Sequence, residues 1–134
     1  GVMAMSEGSQ LAEQLGLDAK TFWDVARVSS GDSWPLRTWY PVPGVLDKSA
    51  ANNNFDPTFS VDLARKDCGL AVQAGDTTGV HLPAARLALA QLDELIDEGL
   101  GGKDCTLVAK LASPNGTLRG YDPSLDRTLE GTRA

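Results

Sequence analysis

Lys66 and Asp67 are the residues of this sequence best placed to do chemistry. They stand side by side in FDPTFSVDLARKDCGLAVQAG, residues 55–75. The run has the ends of a helix: Asp56 as an N-terminal cap, Pro57 at the first helical position and Gly75 as a stop. At about 100° per residue, Phe59, Leu63, Leu70, Ala71 and Ala74 share an arc roughly 120° wide, the pattern of a core-facing helix. Lys66 and Asp67 fall on that same arc, whereas Asp62 and Arg65 lie opposite. Charges on a buried face are costly unless they are paired or serve a site. Either Lys66 extends along the stripe edge and Asp67 pairs with a neighbour, or the two serve a site.

The elements that must position this pair belong to one modest domain. The chain has 134 residues, enough to bury a core without disulfides or metals. Its net charge of −6 and its scattered lysines and arginines argue against nucleic acid, which needs a concentrated basic face. No apolar run is long enough to span a membrane. Cys68, Cys105 and the single His81 have no ligand spacing, so no metal site is expected and two free thiols suit a reducing cytoplasm. His81 has nothing nearby in sequence to orient it and reads as a loop residue.

Helical patterning runs through most of the chain. Residues 1–15 carry a stripe of Val2, Met5, Leu11, Ala12 and Leu15 with no cap ahead of it, so this helix is expected to begin upstream. Asp18 caps a second helix over residues 19–28, with Phe22, Val25, Ala26 and Val28 toward the core. Ser33, Trp34 and Pro35 open a third, which must end before Pro41. Residues 41–58 hold three prolines and three consecutive asparagines and form a long loop, a kind of segment that is often functional. A polar connection over residues 76–82 follows the central helix. Pro83 opens a helix that Gly99 ends, and Asp104 caps another over residues 105–112. From Ser113 onward turn residues dominate, which predicts a flexible tail or an arm lying on another subunit. No alternating pattern argues for a sheet.

A helix carrying Phe59, then Lys66 and Asp67, then Gly69, Leu70 and Ala71 resembles the C-terminal domain of the β-hydroxyacid dehydrogenases. Cys68 stands where members usually carry leucine. The segment SSGDSWPLRTWYPVPGVLDKSAANNN ahead of it is similar to the 3-hydroxyisobutyrate branch in particular, with a Ser-Ser-Gly turn, a tryptophan, a Pro-x-Pro-Gly stretch and an Ala-Asn-Asn run. The resemblance covers about residues 1–112. It implies an all-α domain of the 6-phosphogluconate dehydrogenase-like type, without the N-terminal Rossmann domain, in which residues 1–112 bind NAD and dimerise and residues 113–134 are a polar tail. It further implies a small β-hydroxy acid substrate, partnership with the protein's own Rossmann domain, a homo-oligomer and a cytoplasmic setting. Lys66 and Phe59 become cofactor-binding residues, Asp67 a supporting carboxylate, and Ser30 and Gly31 part of the substrate pocket. The family's catalytic lysine would lie before residue 1, and no G-x-G-x-x-G follows a strand here. The chain by itself is therefore expected to be inactive. Two alternatives stay open: a sister semialdehyde reductase, or a helical dimerisation module without catalysis.

Overall fold

The computed structural model describes residues 1–126. Among these residues the chain is helical, and its only strand-like contact is an isolated antiparallel bridge between Ser60 and Asp104. The first three helices, α1 (Val2–Gln14), α2 (Ala19–Ala26) and α3 (Trp34–Trp39), meet around buried Met5, Leu36, Tyr40 and Val42. Local capping acts as the sequence predicts. Asp18 accepts the Thr21 amide at 2.9 Å, and Ser33 accepts the Leu36 amide at 3.2 Å.

The inward faces differ from the expected stripes. Helix α1 buries Met5 and Ala12 but also Ser6, Ser9 and Gln10, while Leu11 and Leu15 lie in solvent. Ser9 can be buried because its hydroxyl donates to the Ser6 carbonyl at 2.8 Å, inside its own helix. Helix α2 likewise turns Phe22 and Ala26 inward and leaves Val25 and Val28 exposed.

Helix α4 covers Val61–Thr78 and packs principally against α5, Pro83–Asp97. Its boundaries correct the sequence reading at both ends. Ser60, not Asp56, is the cap, accepting the Leu63 amide at 3.2 Å, and Pro57 lies in the approach rather than in the first turn. The helix runs on to Gly79, left-handed at φ 75°, so the first residues of the expected polar connection are helical. Gly75 is buried inside the helix. A Cβ there would stand 2.7 Å from Leu82 Cδ1 and 3.0 Å from the Val80 carbonyl oxygen, so its glycine serves close packing rather than termination.

The buried side of α4 is corrected as well. Val61, Ala64, Cys68, Val72 and Gly75 face the core, at intervals of three and four residues. Leu63, Leu70, Ala71 and Ala74, expected inside, face solvent. Small residues on the inner face let α5 come close, and Val61, Leu92, Leu95 and Val108 form the core there.

The start of α4 is held by residues far away in sequence. Asp104, 1% exposed, accepts Thr58 N and Thr58 Oγ1 at 2.8 Å each and Phe59 N at 3.2 Å on one oxygen. Its other oxygen accepts Thr106 N at 3.0 Å and Thr106 Oγ1 at 2.6 Å, capping the 3₁₀ turn Cys105–Val108 that leads into α6, Ala109–Ala112. In the preceding loop a second 3₁₀ turn, Ala50–Asn53, ends in two left-handed residues, Asn54 at φ 52° and Phe55 at φ 56°. Such a conformation costs a non-glycine residue about 1 to 3 kcal/mol. It is held because Phe55 is fully buried among Ala51, Leu107, Ala109 and Leu118.

Residues 113–126, expected as a tail or an arm, make contacts within their own chain. They fold back on their own chain, with Leu118 buried in that cluster and Arg119 paired to Glu13 at 2.7 Å. The rest of the expected tail, residues 127–134, lies outside the described residues.

Candidate functional site

On α4, the residues that the sequence singled out stand on the solvent face. Lys66 and Asp67 are each 62% exposed, with Nζ 3.7 Å from the carboxylate, beyond hydrogen-bond range. The problem of two charges on a buried arc thus disappears, because the arc is the outer one. Lys66 lies in an open groove of about 520 Å³ along α4 and α5, with Asp62, Arg65, Leu70 and Leu89 among its walls. Arg65 crosses Gly69, whose missing side chain leaves room, and its Nε donates to Asp93 on α5 at 2.8 Å. That hydrogen bond raises the guanidinium pKa and ties the two helices together beside Lys66.

Phe59 sits just before α4, half-buried, and stacks on Trp39 with ring centroids 6.1 Å apart at 15°. Trp39 in turn meets Trp34 edge to face at 4.9 Å. Trp34 is 56% exposed, so the three rings form a ladder from the entry of α4 to the surface of α3. The sequence reading used Trp34 for a helix start and a tryptophan for the family resemblance, and placed neither ring at a site. The signal available was two tryptophans in a single short helix, more aromatic surface than six residues can bury. Asp104 sets the near end of the ladder by holding the Phe59 amide.

Ser30 and Gly31 are exposed in the turn between α2 and α3. They line a separate, mainly apolar cleft of about 370 Å³ with Met5, Gly8, Phe22 and Leu36. This cleft has no residue in common with the Lys66 groove, and Phe59 lines neither. Within this chain the expected cofactor and substrate residues are therefore not gathered into one pocket.

His81 is an exposed loop residue between α4 and α5, as expected. Both cysteines are free thiols. Cys68 donates to the Ala85 carbonyl at 3.2 Å, and burial pushes the Cys105 thiol up to about 12. Among the described residues no group of His, Cys, Asp and Glu could hold a metal ion, and no helix is long and apolar enough to cross a membrane.

Comparison with known proteins decides what kind of domain this is. Residues 1–112 match the family model described as the NAD-binding part of NADP-dependent 3-hydroxyisobutyrate dehydrogenase. The chain belongs to that family. A probable 3-hydroxyisobutyrate dehydrogenase of Mycobacterium tuberculosis is 44% identical over 81 residues, 60% of this chain and 28% of that protein. The mitochondrial 3-hydroxyisobutyrate dehydrogenase of Drosophila melanogaster is 36% identical over 110 residues, covering 82% of this chain and 34% of that protein. An NAD-dependent L-serine dehydrogenase of Pseudomonas aeruginosa is 32% identical over 113 residues, 84% and 38% of the respective lengths. Among solved structures, M. tuberculosis 3-hydroxyisobutyrate dehydrogenase with L-serine superposes with a TM-score of 0.76 at 36% identity. It covers 81% of this chain and 37% of that one. The chain thus spans about a third of the length of its relatives. It is a helical, NAD-binding domain of the hydroxyacid dehydrogenase family.

Proposed function

We propose that this domain is the C-terminal part of an NAD-dependent 3-hydroxyisobutyrate dehydrogenase that oxidises 3-hydroxyisobutyrate to methylmalonate semialdehyde in valine catabolism. One observation carries the reading. Helix α4 has already packed one face against α5, yet presents a second apolar face, with Leu63 47% and Leu70 58% exposed, around the exposed Lys66. Apolar surface around a solvent-exposed cation suits a closed, water-poor site completed by another part of the protein.

In the proposed reaction the substrate carbinol carbon loses a hydride and its hydroxyl loses a proton. NAD, when bound, supplies the hydride acceptor. Lys66 would hold the cofactor by donating hydrogen bonds to a ribose hydroxyl near the nicotinamide, and Asp67 would orient the lysine. Phe59, backed by Trp39, would close the apolar side of the cofactor site and help exclude water from the transfer. Ser30 and Gly31 would approach the β-hydroxy acid from the α2–α3 turn. The general base would come from the same protein's segment ahead of this domain, which would also supply the Rossmann domain. A homo-oligomer in the cytoplasm completes the proposal.

Lys66→Ala in the full-length protein is expected to weaken NAD binding or turnover about tenfold or more, a loss of about 1.4 kcal/mol, with unchanged helicity by circular dichroism. Wild-type kinetics in that variant would remove Lys66 from the site. L-serine is the second substrate reading, because one relative is an L-serine dehydrogenase and the solved neighbour carries L-serine. The ratio of kcat/KM for the two hydroxy acids separates them.

A further inference from the structure

The family match ends at residue 112, yet residues 113–126 are built into the fold. We propose that they form a strap that positions Phe59, acting through Asn54; this rests on the cofactor role of Phe59 given above.

The strap grips the loop at several points. Gly120, left-handed at φ 91°, passes so close that a Cβ there would stand 2.5 Å from Pro43 Cγ and 2.8 Å from the Ala51 carbonyl oxygen. The Asn54 side chain pairs with the strap backbone in both directions: its oxygen accepts the Asp122 amide at 2.6 Å, and its Nδ2 donates to the Asp122 carbonyl at 3.2 Å. Asp126 binds Lys103 Nζ at 2.6 Å, and the same ammonium donates to the Asn54 carbonyl at 3.0 Å. Tyr121 packs edge-on against Phe55 at 6.5 Å and donates its hydroxyl to Asp126 at 2.6 Å.

From Asn54 the route to Phe59 is short. The left-handed turn aims the Phe55 carbonyl at the Asp104 amide, 2.8 Å away, and the Asp104 carboxylate holds the amides of Thr58 and Phe59. Phe59 then meets Trp39. Without the clamp, the turn loses part of what keeps two non-glycine residues left-handed, and the ring at the mouth of α4 is held less firmly.

Asn54→Gly in the natural full-length protein tests this, because glycine accepts the same φ while removing the clamp. Deletion from residue 113 onward is the companion variant. The expected result for Asn54→Gly is exchange at the Thr58 and Phe59 amides about tenfold faster, with KM for NAD raised about fivefold and kcat within about twofold of wild type. Unchanged exchange would overturn the proposal, and so would faster exchange, or a lower melting temperature, with unchanged KM for NAD. The deletion must shift both readouts in the same direction as Asn54→Gly, or the strap is not the agent. Absence of NAD-dependent turnover in the wild type would instead overturn the dehydrogenase reading. Amide exchange would then still decide whether the strap holds the turn.

Discussion

Lys66 and Lys103 are both lysines beside carboxylates, and they occupy opposite situations. Lys66 is 62% exposed, and its nearest carboxylate is 3.7 Å away. The side chain of Lys103 is 11% exposed, and its three N–H groups face three acceptors: the Asn54 carbonyl at 3.0 Å, Asp56 at 3.1 Å and Asp126 at 2.6 Å. Burial alone would lower the Lys103 pKa, but the hydrogen bonds it donates to Asp126 and Asp56 more than offset it, and the pKa is raised. An ammonium has three donors, so Lys103 has none left to offer a ligand, whereas among the described residues Lys66 makes only the 3.7 Å ion pair with Asp67. The enclosed cation holds the fold together, and the exposed one is available to something outside it.

The largest break in this contrast should come from Asp104, the carboxylate at the centre of the inner region. Asp104→Ala leaves the Thr58, Phe59 and Thr106 amides without their acceptor, and is expected to cost about 3 to 5 kcal/mol in urea unfolding. A loss below about 1 kcal/mol would mean that the entry to α4 is held by packing alone. Next, Lys103→Met is expected to destabilise by about 2 to 3 kcal/mol, less than for a fully enclosed pair because Asp56 is open to solvent. Lys66→Met should change stability by less than about 0.5 kcal/mol. Equal effects of the two lysine substitutions would erase the distinction.

A further expected effect is alkaline. Lys103 is raised from 10.5, Cys105 from 9.0 to about 12 and Tyr40 from 10.0 to about 12, the latter two mainly by burial. A pKa raised in the folded state gives a contribution that is complete below the unfolded value and lost as pH climbs through the folded one. The urea midpoint should therefore fall steadily between about pH 9 and 12, and Lys103→Met should flatten the upper part of that fall. A midpoint that is constant over this range would contradict the burial of these groups.

Much of the architecture was legible from short stretches. Asp18, Ser33 and Asp104 announce helix or turn starts because a cap bonds an amide only two or three residues away. The resemblance around Lys66 likewise pointed to the family that the comparisons show. The boundary of α4 was not legible in this way. Asp56 and Pro57 look like a helix start, but the Asp56 carboxylate goes to Lys103, 47 residues away, and the amides of Thr58 and Phe59 go to Asp104. The aromatic ladder was missed for a similar reason, since Phe59 and Trp39 meet only after the intervening loop has closed.

What the sequence by itself determined is the helical character of this protein, the caps of α2, α3 and the Cys105–Val108 turn, and the family signature on α4. Those depend on bonds within one turn and on residue types in order. Only the tertiary structure decided which side of α4 faces outward. The helix is apolar on two sides, and periodicity weights the large side chains of Leu63 and Leu70 above the small ones of Ala64, Cys68 and Gly75. Burial belongs to whichever face receives a neighbour, and α5 came to the small residues because it could approach them more closely.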